Sequence, residues 1–100
     1  MMHTVVLPAL AGSRPAAAEL LSGLPADLSG GEIAVLCRDL LSGSPSFADE
    51  LVRQLAVERN AGRVVLVGAD ETFERYVRDA ARNHAVAERV ATRGGHAAAQ

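Results

Sequence analysis

A few side chains in this 100-residue sequence have the type and placing to do chemistry. The single thiol, Cys37, closes the apolar run Glu32 to Cys37, a position from which some α/β enzymes present a nucleophile. A phosphatase-type loop would need Arg six residues later, and position 43 is Gly. No base stands beside Cys37 to take its proton, so the residue reads as a small buried hydrophobe. Asp39 could act as a base at the strand end and Arg38 as an anion anchor, but neither has a local partner. Three hydroxyls, Ser42, Ser44 and Ser46, crowd the next loop, followed by the carboxylates Asp49 and Glu50. Adjacent helical residues do not face each other, so these two are no acid/base pair. They read as a solvated or partner-facing surface. The histidines, His3, His84 and His96, are scattered. His84 lies seven residues after Val77 on the inward stripe of a helix, where it would satisfy a last-turn carbonyl. No Cys, Asp or His stands beside it at metal-ligand spacing, so neither a metal nor a cofactor is expected. The segment Leu40 to Ser44 has no Lys and is not a P-loop, and no GxGxxG follows a strand. Val67-Gly68-Ala69-Asp70-Glu71 comes nearest, and its acidic end would repel a phosphate.

These residues hang on alternating strands and helices. Thr4 to Leu7 is a β-branched, apolar run ended by Pro8, a first strand. Ser13 caps a helix with Pro15 in its first turn, an inward stripe of Ala17, Leu20, Leu21 and Leu24, and a stop at Pro25. Glu32 to Cys37 and Arg63 to Gly68 are continuous apolar strands, expected to be central and covered on both faces. Between them Ser44 caps a second helix with Pro45 at its first position. Its stripe is Ala48, Leu51, Val52, Leu55 and Ala56, and it should run to about Arg59. The negative charge of Asp49 and Glu50 in its early turns suits the helix dipole. Asp49, Glu50, Arg53 and Gln54 fall on the opposite face, which Val57 joins. Asn60-Ala61-Gly62 ends this helix through a left-handed residue. Asp70 caps a third helix with Phe73, Tyr76, Val77, Ala80 and Ala81 inward. A weak edge strand is placed at Arg89 to Ala91. Such alternation means a mainly parallel α/β sheet of four strands, three strong and one weak, with flanking helices. Residues 1–92 form one domain and 93–100 a frayed tail.

Composition narrows the classes. The chain is 49% hydrophobic but only 3% aromatic, so Ala, Val and Leu must build the core. A net charge of -2 argues against a general nucleic-acid binder. One Cys excludes an internal disulfide. No apolar run reaches the roughly 20 residues of a membrane span. The N-terminal stretch lacks a basic residue before its short apolar core, so a signal peptide is not expected and the cytoplasm is the default.

The order of strand, Ser-rich loop, helix, then Gly-Arg-Val-Val-Leu-Val-Gly and a third helix resembles the STAS domain of bacterial anti-sigma factor antagonists. The run Ser46-Phe47-Ala48-Asp49-Glu50-Leu51 is similar to a divergent STAS-like branch of unknown function. The resemblance covers about Glu32 to Val90. It implies a non-enzymatic regulatory module that docks on a kinase-like ATPase and is switched by phosphorylation of a Ser in the loop. The usual loop reads Asp-Ser-Ser-Gly, and without gaps its counterpart here is Ser44-Pro45-Ser46-Phe47. Pro45 thus takes the place of the phosphoacceptor, which leaves Ser46 or Ser44 to carry a switch. Typical members open with two strands, and only one is legible here before the first helix. The implied partner surface is Ser42, Ser44, Ser46, Asp49, Glu50, Arg53 and Val57. The alternatives are a small-ligand or nucleotide-binding module using the same loop, a small enzyme using Cys37 or Asp39, and a structural subunit whose helix face closes a homodimer.

Overall fold

The structure is a computed structural model and describes residues 2–94. Its main sheet has four parallel strands: β1 (Met2–Val6), β3 (Glu32–Leu36), β5 (Arg63–Val67) and β6 (Val90–Arg93), side by side in that order. Helices α1 (Arg14–Leu21), α2 (Pro45–Val52) and α3 (Glu71–Asn83) make the crossovers. The α/β class and the four parallel strands are as the sequence pattern predicts. The weak last strand is real, and it runs through Arg93 after a 3-10 turn at Ala87–Arg89. The rest of the expected tail, 95–100, lies outside the described residues.

Each helix begins on a cap that the sequence announces. Ser13 accepts from Ala16 N–H, Ser44 from Phe47 N–H and Asp70 from Phe73 N–H. The second helix departs from expectation. It is α-helical only to Val52 and continues as a π-helix over Arg53–Glu58. There Arg59 N–H reaches back five residues to the Gln54 carbonyl at 3.0 Å. Asn60 then turns left-handed at φ 57°, as its type allows.

The two faces of the sheet differ. Strand residues Val5, Ile33, Val35, Val64, Leu66 and Val90, with Cys37 just past the end of β3, share one cluster with the buried residues of all three helices. Phe47 and Phe73 anchor that cluster, ring centroids 6.4 Å apart. The alternate strand residues, Ala34 and Val65 among them, lie outside it. Covering on both faces, expected for the central strands, is therefore not found among the described residues. The cause is topological. Strands laid down in sequence order by crossovers of one hand put every helix on the same side.

A second ribbon was not legible in the sequence. β2 (Leu10–Ala11) pairs in parallel with β4 (Ser42–Gly43) beyond the ends of β1 and β3. Two strands, not one, thus precede α1. No helix among the described residues is long and apolar enough to cross a membrane.

Candidate interaction site

The loop that enters α2 is held from both sides. Leu41 and Ser42 N–H both donate to the Ala9 carbonyl, at 2.9 and 3.1 Å, and Ser44 N–H donates to Ala11 at 2.9 Å. Gly43 carries no side chain because a Cβ there would stand 2.6 Å from the Phe73 ring. The ribbon is therefore pinned to α3 as well as to the N-terminal segment. Ser44, half-buried, spends its hydroxyl on the cap, accepting from Phe47 N–H at 3.0 Å. Ser42 and Ser46 are exposed, and their hydroxyls have no hydrogen-bond partner among the described residues.

The same ribbon turns two large apolar side chains outward. Leu10 is 72% exposed and Leu41 79%. Sequence reasoning passed over both, although a Leu outside any strand or helical stripe is the signal that marks them. Behind Leu41 an open cleft of about 280 Å³ lies between the ribbon and the start of α3, lined by Ser42, Asp70, Thr72 and Tyr76.

The carboxylates of α2 behave otherwise than expected. Glu50 was placed on the outer face, but it is buried, 6% exposed. Its carboxylate accepts from Arg53 Nε at 3.2 Å and Gln54 Nε2 at 2.8 Å, and Arg14 Nη1 lies 3.6 Å away. Asp49, half-buried, accepts from Arg14 Nη1 at 2.6 Å and His84 Nε2 at 2.9 Å. One carboxylate thus ties α1, α2 and the end of α3. Arg53 spans Glu50 and Glu58. Of the predicted helix surface, only Val57, 48% exposed, projects freely.

The guanidiniums, not the helix dipole, set the charge state here. The Arg14 hydrogen bond, helped by His84, holds Asp49 below the usual carboxylate range, and Asp49 in turn raises Arg14. Arg53 and Gln54 do the same for Glu50. His84 does meet a partner at the helix end, but it is Asp49 rather than a last-turn carbonyl. Its backbone N–H takes the Ala80 carbonyl instead. Arg14 was missed, yet a cation in the first turn of a helix opposes the dipole and so signals a carboxylate elsewhere.

The catalytic alternatives gain nothing. Cys37 is buried, and burial, with Asp70 nearby, pushes its thiol up to about 11. Arg38 and Asp39 are exposed. No hydroxyl or thiol among the described residues hydrogen-bonds the His84 ring. No group of three metal-ligating side chains occurs among them. Comparison with family models, curated proteins and solved structures finds no match.

Proposed function

We propose that this protein is a non-enzymatic interaction module, of the kind its resemblance to anti-sigma factor antagonists implies. Its docking surface is the ribbon and the first turn of α2. The observation that carries this reading is the outward display of Leu10 and Leu41, on hydrogen-bonded backbone, beside the unengaged hydroxyls of Ser42 and Ser46. Apolar side chains fixed in place bind without a large ordering cost. A kinase-like ATPase is the partner class that the resemblance implies.

Ser46 is the better phosphoacceptor, because Ser44 is engaged as a cap. A phosphate adds nearly two negative charges. At the start of α2 the fold would tolerate them. Against a partner covering Leu10 and Leu41 they would cost desolvation and break the complex. Repulsion from Asp49 and Glu50 contributes little, since Arg14 and Arg53 already neutralise both.

The test is capture from native cytoplasm with wild type, Leu41→Asp and Ser46→Asp, read by mass spectrometry. An anti-sigma-type ATPase held by wild type and lost from both variants supports the proposal. Capture indifferent to Leu41→Asp removes the ribbon as the surface. Capture lost only with Leu41→Asp keeps the surface and removes Ser46 as its switch.

The cleft beside Ser42 favours a second reading, a small ligand held by the Ser42, Thr72 and Tyr76 hydroxyls. The Asp70 carboxylate at its wall suits a neutral or cationic ligand better than a nucleotide phosphate. A thermal-shift comparison with nucleosides and nucleoside triphosphates separates the two.

A further inference from the structure

The open face of the main sheet carries Ala34 and Val65 at its centre, 9% and 1% exposed, and Leu36 and Val67 half-buried at the ends of β3 and β5. On the edge strand β1, Val6 beside Leu36 is 51% exposed and Met2 beside Glu32 is 60%. All-parallel sheets are normally covered on both faces. Among the described residues nothing packs on this one except its own Arg93. That side chain reaches from β6 toward Glu32 on β3, 4.0 Å from its carboxylate. The strand register puts Val65 midway along its path, and Val65 is only 1% exposed although no other described element covers this face.

The geometry points to a second copy of this chain as the cover, on a two-fold axis that runs along the strands between β3 and β5. Glu32 and Arg63 are paired neighbours at one end of these strands, as are Ala34 and Val65, and Leu36 and Val67. The rotation lays β3 over β5 of the second copy with those levels kept. Glu32 then faces Arg63 of the second copy, and Arg63 faces its Glu32. Leu36 lies over Val67. Ala34 lies over Val65, and its small side chain leaves room for the Arg93 stem. Arg93 of the second copy lies over Val6, with its guanidinium kept toward its own Glu32. An axis across the strands would instead set Glu32 on Leu36 and Arg63 on Val67, leaving both charges unpaired. Charge complementarity therefore selects both the occupant and its orientation.

The footprint is small. Four strands about 4.8 Å apart, three of five residues and β6 of four, cover roughly 300 Å² per copy. A standard interface takes about 800 Å² per partner, so this dimer forms reversibly and comes apart on dilution.

Sedimentation of the full chain over a concentration series tests the dimer, with circular dichroism as the check on folding. Wild type should approach twice the monomer mass of 10.4 kDa as concentration rises. Val6→Arg, at a site exposed in the monomer and set against Arg93 of the second copy, should stay monomeric. Arg63→Glu and Glu32→Arg should each be monomeric alone, and their equimolar mixture should dimerise, because every facing pair is again opposite in sign. Wild type monomeric throughout overturns the inference, and apolar dye bound by that monomer would mean that the face serves another partner. A dimer untouched by Val6→Arg, or single charge variants that the mixture fails to rescue, overturns it equally.

Discussion

The helix face and the open face of the sheet are made from the same kind of residue and do different work. Val64 and Val65 are neighbours in β5. Val64 joins the core with the three helices, and Val65 lies on the far side, outside that cluster. Hydrophobicity alone does not distinguish them. What separates them is the order of the crossovers, which places all three helices on one side. The difference teaches that an apolar strand reports how much of a sheet can be covered, not what covers it.

The largest effect that would test this contrast is a pair of truncations. Leu66→Ala, on the helix face and fully buried, should cost about 2–5 kcal/mol through lost transfer and the cavity left behind. Val6→Ala on the open face should stay within about 0.5 kcal/mol. Denaturant unfolding at low protein concentration measures both, below the range in which a dimer would add to Val6. Equal costs would break the comparison and mean that the open face is covered within one chain.

Much of the helix side was legible. The capping residues Ser13, Ser44 and Asp70 announced three helices, and each makes the expected bond. The buried stripes followed from spacing. The site was less legible. Periodicity put Glu50 on the outer surface because angle around one helix says nothing about the neighbour. Arg14, 36 residues earlier, and the arginine at 53 draw Glu50 inward and neutralise it. The ribbon of Leu10–Ala11 with Ser42–Gly43 was invisible for a simpler reason. Two residues are too few to show any period.

Acid should remove what holds the helices to one another sooner than what holds them to the sheet. Asp49 and Glu50 both have folded-state pKa values below their ordinary 3.8 and 4.5. A depressed carboxylate stabilises the fold fully above its unfolded pKa and loses that contribution as pH falls through the folded one. Stability against thermal unfolding should therefore fall below about pH 4.5. Glu50→Gln should cost about 1–3 kcal/mol at neutral pH, the worth of hydrogen bonds to a buried charge. The gap between variant and wild type should narrow as the pH falls below the ordinary carboxylate range and the wild-type carboxylates take up protons. A gap that stays constant with pH would show that Glu50 acts by shape and not by charge.

The smallest effect concerns how His84 is brought to Asp49. α3 ends with Val86 N–H on the Ala81 carbonyl at 2.8 Å and Ala85 N–H on Arg82 at 3.1 Å. This is the paired closure that usually carries Gly at its left-handed residue. Here that residue is Ala85, at φ 60°. An L residue with a Cβ is strained in this region by about 1–2 kcal/mol, and Gly gives back part of that through its looser unfolded chain. Ala85→Gly should thus stabilise by roughly 0.5–1 kcal/mol, read as a higher denaturant midpoint with an unchanged slope. Loss of stability would mean that the Ala85 methyl makes contacts worth more than its strain. A gain would show that the turn holding His84 on Asp49 is kept at a cost, with the helix-side charge cluster fixed by geometry that the backbone alone would relax.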